Sequence, residues 1–387
     1  REVIEQCAAI PLPDEQPVIG REVISYPGGT GNVTRGEGIR RGIGFALGYK
    51  NVGFSEGFDD AAAARVTLST NEHGAAAEIY TAAVEMGQGL YTLLTQIARS
   101  ELGVEEVGLH AADTLIGSAG STSASRQSMM AGGAVKMACV QVREALVERA
   151  RERLGTPGAS FEVAGGLICS GGVPLLAMEE LLDAPIEAEV EYHHRATERF
   201  DENGQGAVHA HFCFGAERAV VEVDEEIGLV RVVQIAAAID AGKVMNPLGF
   251  TGQIEGGTAQ GIGFALTEEV IVKDGVIANP SFTDYLLPTI LDAPPVVTVA
   301  VEQPDAGAPY GLKGIGEAPT VVSTAAVVAA LRDATGRELN RAPVSPDELV
   351  GLRGPALSSG PPPVPEVPGQ EPVPWYHGMR SGQQDLM

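Results

Sequence analysis

The chain has 387 residues, of which 44% are hydrophobic, and this is enough apolar material for a large core in two or more lobes. Its 51 acidic residues outnumber the 26 Lys and Arg residues, and the net charge of −25 argues against nucleic acid or an anionic membrane surface as a partner. No apolar run reaches the length of a membrane span and no signal peptide opens the sequence, so we expect a cytoplasmic protein.

Four widely spaced cysteines, Cys7, Cys139, Cys169 and Cys213, form no C-x-x-C pair. The spacing predicts reduced, packed thiols and neither a metal site nor a disulfide framework. Residues 1–35 read as a short helix followed by a linker rich in Pro and Gly, and residues 353–387 read as an extended, Pro-rich tail. The hexapeptide at residues 42–47 recurs at residues 261–266, and we interpret this repeat as chance.

A first polar loop follows a predicted hairpin. Strands over residues 64–69 and 76–84 are joined by a turn at residues 71–74, and a helix with apolar residues on one face begins at Leu90. Between them lie Met86, Gly87, Gln88 and Gly89. This arrangement predicts free backbone N–H groups at a helix N-terminus, ready for an anion or a polar cofactor; the alternative is a close-packed strand–helix turn.

A second polar loop, residues 117–128, precedes a helix predicted over residues 130–149. Ser125, Arg126, Gln127 and Ser128 offer hydroxyl, guanidinium and amide groups, a set suited to phosphate recognition. The alternative is an ordinary serine-rich helix cap.

Two strands are then predicted over residues 219–223 and 230–238, and a helix of small residues from Gly252 to Leu266 carries Gln253. Such a helix can pack closely against a sheet or a bulky ligand.

The segment from Tyr310 to Pro319 holds three glycines around Lys313 and continues directly into Glu317. Pro319 suits the first turn of a helix that ends before Gly336. Its predicted buried face consists of Val321, Val322, Ala325, Val328 and Leu331. Glu317 is therefore expected on a tight approach to a helix N-terminus, beside whatever the glycines make room for; the alternative is a glycine-rich turn with a solvated Glu.

Taken in order, these segments resemble the molybdenum-binding domain of the xanthine dehydrogenase and aldehyde oxidase family of molybdenum hydroxylases. The resemblance covers roughly residues 40–349 and rests on the motifs at residues 85–89, 124–127, 239–242, 246–247, 252–257, 284–285 and 311–317. It implies an α+β fold in two mixed α/β lobes, residues 36–200 and residues 201–352, the second carrying the catalytic Glu.

The resemblance also implies a molybdopterin cofactor in its cytosine dinucleotide form, which carries its own metal, so that no protein metal ligand is expected. Glu317 matches the family's catalytic base. Met86, Gly87, Gln88 and Gly89 match the first cofactor loop, and Gln253 matches a further cofactor amide. Ala124, Ser125, Arg126, Gln127 and Ser128 match the loop that holds the pterin and its phosphates. Phe45, with Phe54 as a rival, falls near the position of a substrate-stacking ring.

The family's upstream glycine-rich segment and its other pocket residues are not found in this sequence. The chain therefore resembles the second half of a molybdenum subunit, either a separate gene product or a piece of a longer one. Implied partners are the upstream half, a 2Fe–2S subunit and an FAD subunit. The implied activity is oxidative hydroxylation of a purine or related N-heteroaromatic; the alternatives are an aldehyde or nicotinate hydroxylase subunit and a non-catalytic assembly subunit.

Overall fold

The computed structural model describes residues 1–14 and 38–352, so the predicted linker and the Pro-rich tail lie outside the described residues. The helices are α1 Glu2–Ala9, α2 Leu90–Leu102, α3 Gln127–Leu154, α4 Pro247–Leu266, α5 Ala318–Thr335 and α6 Pro346–Leu349. The strands are β1 Ile39–Val52, β2 Ala61–Asn71, β3 Gly74–Thr81, β4 Glu106–His110, β5 Glu162–Ala164, β6 Leu167–Ser170, β7 Val173–Ala177, β8 Ile186–His193, β9 His211–Asp224, β10 Leu229–Asp240, β11 Val272–Lys273, β12 Val276–Ile277 and β13 Val296–Val301.

The first lobe is a four-stranded sheet covered by two helices. Its strand order is β4-β3-β2-β8, with β3 and β4 parallel and the other neighbours antiparallel. Helices α2 and α3 bury one apolar stripe each against this sheet, and Leu68, Ile79, Leu94 and Met130 are inaccessible to solvent in the resulting core. The predicted hairpin turn at residues 71–74 and the predicted helices after both polar loops are confirmed.

The second lobe is a four-stranded sheet in the order β1-β9-β10-β13. Helices α4 and α5 pack on this sheet, while α1 packs on its strands through Val3 and Cys7. Both lobes therefore mix helices and strands, and the predicted α+β class is confirmed. No helix in the described part of the chain is long and apolar enough to cross a membrane.

The predicted lobe boundary needs a correction at β1. This strand follows residue 36, yet it pairs along its whole length with β9, from Ile39 opposite Asp224 to Val52 opposite His211. It is the edge strand of the second sheet, and α1 also belongs to that lobe. The local pattern of β1 specifies a strand but not its partner, because strand pairing is set by the fold as a whole.

Glycines on one face of β1 bring helix α5 unusually close to the sheet. A Cβ atom on Gly44 would lie 2.1 Å from both the carbonyl oxygen of Ala326 and the amide nitrogen of Ala330. A Cβ atom on Gly42 would lie 2.1 Å from the carbonyl oxygen of Ala330. The absence of side chains at these two positions therefore sets the distance between helix and strand.

The buried face of α5 also differs from the predicted one. Val322 and Leu331 are buried as expected, but Val321 and Ala325 are exposed, and Ala326 and Ala330 are buried in their place. The face of α5 that contacts β1 and α4 carries small residues. A prediction that places the larger apolar side chains on the buried face of α5 is therefore wrong.

The repeated hexapeptide confirms that tertiary context decides secondary structure here. Residues 42–47 lie in strand β1, whereas the identical residues 261–266 form the last turns of helix α4. The repeat is therefore no sign of a duplicated lobe.

We predict that Gly44→Ala destabilises the chain by about 1–3 kcal/mol, the usual cost of overpacking, because the new methyl group would meet backbone atoms that cannot move aside. Urea denaturation of the variant and the wild-type chain measures this difference.

A matched control is Gly256→Ala on the exposed side of α4, where a Cβ atom would meet nothing within 4 Å. That change should be neutral or stabilise by up to about 1 kcal/mol through helix propensity. Equal stability of Gly44→Ala and wild type would contradict the close packing of α5 on β1.

Candidate active site

Four chain segments meet around one cavity of about 290 Å³ between the two lobes. Two come from the first lobe, residues 86–93 and 122–128, and two from the second, residues 241–253 and 312–317. Of the residues predicted from sequence, the cavity is lined by Met86, Gln88, Gly89, Ser125, Arg126, Gln127, Ser128, Gln253 and Glu317. Gly87 and Ala124 lie beside lining residues in the same loops. The structure thus brings together three loops and a helix that are far apart in the sequence.

The loop that carries Glu317 is held to the second lobe by a buried ion pair. The Nζ atom of Lys313 lies 2.6 Å from Oδ2 of Asp240, and the two side chains are 9% and 4% exposed. The backbone N–H of Lys313 also donates to the carbonyl oxygen of Ala241 at 2.9 Å. The loop is therefore fixed to the end of β10 by both its backbone and its charge.

The same loop is held to the first lobe at Tyr310. Its hydroxyl donates to the carboxylate of Glu101 on α2, which also pairs with Arg143 on α3. Burial and the hydrogen bond to Glu101 raise the pKa of Tyr310 far above its ordinary value, so the hydroxyl keeps its proton. Tyr310 adopts a left-handed backbone conformation at φ 56°, a strain that persists because the side chain is held in place.

Glu317 reaches across the junction of the lobes. Its Oε2 accepts a hydrogen bond from Ser125 Oγ at 2.8 Å and lies 3.1 Å from Nζ of Lys50. Its backbone N–H donates to the same Ser125 Oγ at 3.1 Å. Glu317 is the N-cap residue of α5, and its side chain stays 44% exposed. A carboxylate that is both held and accessible is suited to accept a proton from a bound group.

Two loops approach so closely here that one must lack a side chain. A Cβ atom on Gly314 would lie 1.6 Å from the carbonyl oxygen of Ser125. Ala124 and Ser125 both have positive φ angles, 51° and 52°, which non-glycine residues adopt only under constraint. This strain at consecutive positions presents the Ser125 side chain to Glu317.

Arg126 has a different role from the predicted one. Its guanidinium donates to both carboxylate oxygens of Asp60, at 2.7 and 2.5 Å, and to the carbonyl oxygens of Ala61, Ala119 and Ser121. The residue is 1% exposed, so these donors are unavailable to a phosphate. Arg126 instead fixes the shape of the second polar loop, which sequence reasoning missed because Asp60 is distant in the chain.

The N-terminus of α2 is already occupied by the protein's own carboxylate, which corrects the expectation of free N–H groups. Glu85 accepts hydrogen bonds from the backbone N–H groups of Gly87, Gly89 and Tyr91, at 2.8, 2.9 and 3.0 Å. Gln88 closes the same turn by accepting from Met86 N and donating to the carbonyl oxygen of Val84. The first polar loop is therefore a turn closed by its own hydrogen bonds. It presents side chains and Gly89, and the helix N-terminus is not open to a ligand.

Neither aromatic candidate for substrate stacking lines the cavity. Phe45 lies on the outer face of β1 and is 40% exposed. Phe54 packs edge-on against Phe58, with ring centroids 5.5 Å apart, and beneath the guanidinium of Arg126. The structure does not bring either ring together with Glu317.

Several contributors to the site were absent from the sequence-based prediction. Lys50 contacts Glu317, while Lys243, Asn246 and Phe250 line the cavity. The sequence carries no local signal for Lys50, because a lone lysine in a strand is usually a solvated residue. Asn246 belongs to the motif at residues 246–247 that contributes to the family resemblance, but no site role was predicted for it; it caps α4 by accepting from Gly249 N.

Two polar atoms in the cavity wall lack partners inside the protein. Thr122 Oγ1 and Gln127 Oε1 are buried and form no hydrogen bond among the described residues. A buried polar atom without a partner costs free energy, so such atoms mark places where a ligand completes the structure. In the described part of the chain, no group of three or more His, Cys, Asp or Glu side chains could hold a metal ion. The donor set of hydroxyl, amide and backbone groups fits a polar organic cofactor.

Comparison with known proteins decides the family. The model of the molybdopterin cofactor-binding domain matches residues 24–294. The chain belongs to the xanthine dehydrogenase and aldehyde oxidase family. Within this family, it is 33% identical over 320 residues to a probable xanthine dehydrogenase subunit of Bacillus subtilis, and this match covers 81% of the present chain. It is 31% identical over 334 residues to the gamma subunit of the 6-hydroxypseudooxynicotine dehydrogenase complex of Paenarthrobacter nicotinovorans, again covering 81% of this chain.

A solved structure of the family shares the fold. Quinoline 2-oxidoreductase from Pseudomonas putida 86 superposes on 82% of this chain with a TM-score of 0.71 and 28% identity. The present chain covers about 43% of that structure, 42% of the B. subtilis relative and 39% of the P. nicotinovorans relative. The chain therefore corresponds to less than half of a family-length molybdenum subunit.

We predict that Glu85→Gln destabilises the first polar loop at neutral pH but not in acid. Partial burial raises the pKa of Glu85, but the hydrogen bonds from Tyr91, Gly89, Gly87 and Leu90 together bring it below the ordinary value of 4.5. A lowered pKa means that the charged carboxylate stabilises the fold above pH 4.5, and that this contribution is lost as the pH falls through the folded-state pKa. Melting temperatures of variant and wild type should differ at pH 7 and converge as the pH drops below 4.5.

Glu106→Gln, at an exposed position that begins β4, is the matched control and should follow the wild type at every pH. A constant difference between Glu85→Gln and wild type across the pH range would show that the charge on Glu85 does not stabilise the loop.

Proposed function

We propose that this chain is the molybdopterin-binding, base-carrying part of a molybdenum hydroxylase, and that it oxidises an electron-poor N-heteroaromatic substrate. The observation that supports this most directly is the position of Glu317. It lies at the wall of the cavity between the lobes, with one carboxylate oxygen held by Ser125 and Lys50. No assembly role requires an accessible carboxylate at this point, so the non-catalytic alternative is disfavoured.

Each group of cavity residues has a proposed role that follows from its position. Thr122 and Gln127 would complete their hydrogen bonds on the cofactor, and Ser128 and Gln253 line the same wall. Gly314 and Gly316 of the Glu317 loop also line it, and Gly314 lets this loop lie directly against Ser125. When bound, the cofactor supplies the two-electron oxidation, and water is the oxygen source. Glu317 takes up the proton, because it is the carboxylate that faces the cavity and is anchored at both its backbone and its side chain.

The proposed substrate class follows from the relatives and from this geometry. Xanthine and quinoline, which the names of two similar proteins contain, are both electron-poor nitrogen heteroaromatics. A nicotine-derived substrate is the second candidate, because the P. nicotinovorans relative is similar over a comparable length. Phe45 is left out of the substrate site in this proposal, because it is exposed on β1 and does not line the cavity.

We further propose that the cofactor is the cytosine dinucleotide form and that other polypeptide supplies the rest of its enclosure. The cavity of about 290 Å³ lies at the lower limit of ligand pockets, although a dinucleotide cofactor is a large ligand. Relatives of which this chain spans only 42% and 39% support an upstream half as that polypeptide. An iron–sulfur subunit and an FAD subunit would then carry electrons onward, in the cytoplasm.

We predict that Glu317→Gln keeps the cofactor but lowers turnover by roughly 10²–10⁴-fold, the usual contribution of a general base. The amide retains the shape of the side chain and can still contact Ser125, but it cannot accept the proton. The measurement pairs molybdenum content with steady-state rates on the complete complex.

Glu255→Gln on the exposed side of α4 is the matched control and should retain full activity, because Glu255 does not line the cavity. Near-normal turnover of Glu317→Gln at full molybdenum occupancy would overturn the catalytic role.

A second prediction concerns the chain produced alone. Because it encloses the cofactor incompletely, we expect a folded chain with little or no molybdenum and no turnover with an artificial electron acceptor. Co-expression with the upstream half and the electron-transfer subunits should restore both. Stoichiometric molybdenum in the lone chain, together with turnover, would show that this chain forms the whole site.

A further inference from the structure

We infer that Lys50 is a positioning residue that holds the Glu317 carboxylate in place for proton transfer; this inference rests on the function proposed above. The juxtaposition that carries it is the contact between an ammonium group on the edge strand of the second sheet and a carboxylate at the start of α5. The Nζ atom of Lys50 lies 3.1 Å from Oε2 of Glu317.

The contact leaves the carboxylate with one occupied and one open oxygen. Ser125 Oγ donates to the same Oε2 at 2.8 Å, so two donors converge on it. Among the described residues, Oε1 has no such donor. A carboxylate held through one oxygen presents the other in a fixed orientation, and general-base catalysis needs that alignment.

The Lys50 side chain is also held by contacts other than the one with Glu317. Its Nζ donates to the carbonyl oxygen of Asn51 at 2.6 Å and to Asn51 Oδ1 at 3.3 Å, and its side chain is only 21% exposed. An ammonium group has three donors, and in Lys50 all three directions have an acceptor. Little side-chain freedom is therefore lost when the contact with Glu317 forms.

The packing of α5 on β1 sets the register of this contact. Gly42, Gly44 and Gly48 lie on the face of β1 that meets α5, and Lys50 occupies the next position on that face. Because β1 has no side chains at these three glycines, α5 lies directly along the strand, and the helix N-terminus that carries Glu317 is placed at Lys50. The glycines of β1 therefore determine the position of Glu317 as well as the packing of the core.

A merely structural ion pair is the competing explanation, and it predicts a different result. Partly exposed ion pairs contribute about 0–1 kcal/mol to stability, so removing Lys50 should hardly change the melting temperature. If Lys50 acts through Glu317, its removal should lower kcat while leaving KM and molybdenum content nearly unchanged. We expect Lys50→Met to lower kcat by roughly tenfold, since displacing a catalytic group by about 1 Å can cost about 10²-fold and Ser125 still holds Oε2.

The decisive experiment is a double-mutant cycle on the complete, cofactor-loaded complex. Lys50→Met is compared with wild type and, separately, Lys50→Met/Glu317→Gln is compared with Glu317→Gln. The inference predicts a loss in the first comparison and none in the second, because a residue that acts only through Glu317 has no effect once the base is gone. Lys50→Arg should restore most of the rate, and Lys273→Met in the exposed β11–β12 hairpin should behave as wild type.

The outcomes separate this inference from the function on which it rests. Full activity of Lys50→Met together with an inactive Glu317→Gln would overturn the role of Lys50 and leave the proposed function intact. An equal loss in both backgrounds would also overturn it, because Lys50 would then act independently of Glu317. An active Glu317→Gln would instead refute the proposed function.

The contact itself can be tested without turnover. Treatment with a carbodiimide joins an amine and a carboxylate that are already in contact, without a spacer. Mass spectrometry of the treated and digested protein should therefore show an amide bond between Lys50 and Glu317, which Glu317→Gln abolishes. Absence of this product, while other amine–carboxylate pairs of the complex are joined in the same sample, would contradict the geometry on which the inference depends.

Discussion

The buried ion pair between Lys313 and Asp240 is the interaction on which the site depends. Both side chains are almost fully withdrawn from water, and each ion loses several kcal/mol of hydration, so the pair exists only because the two charges meet at 2.6 Å. Removing either partner would leave an unpaired buried charge, a change that typically costs about 3–5 kcal/mol. The pair fixes the centre of the glycine-rich loop on the end of β10. Because the centre of the loop is fixed, Tyr310 before it and Glu317 after it are both positioned to contact the first lobe.

Small residues give this arrangement its precision. Gly314 lets the loop meet the carbonyl oxygen of Ser125, and Gly44 lets α5 meet β1 without intervening side chains. Backbone placed directly against backbone has few alternative positions, because no flexible side chain can absorb a shift. The cavity wall therefore consists of rigid elements and short, strained loops, which is what a site needs if it is to hold a cofactor and a base in one geometry.

The sequence predicts the parts of the site better than it predicts their arrangement. Gln88, Ser125, Gln253 and Glu317 stand out because polar residues among glycines, next to helix starts, are local signals, and all four line the cavity. Phe45 stood on a weaker signal and lies elsewhere. Burial of Arg126 by Asp60, and the contact between Lys50 and Glu317, depend on partners far along the chain and leave no local trace. For the same reason the predicted boundary at residue 36 put residues 39–52 in the first lobe, although β1 pairs with β9 of the second sheet, since this pairing is a property of the whole fold.

Locating molybdenum in crystals of the assembled complex tests the central claim most directly, because anomalous scattering identifies the metal without prior assumptions about its surroundings. The account predicts one metal site per copy of this chain, in the cavity bounded by residues 86–93, 122–128, 241–253 and 312–317. The Glu317 carboxylate should face the metal without binding it, while Gln127 and Thr122 should contact the organic part of the cofactor. A metal bound directly by Glu317, or one located outside this cavity, would contradict the account.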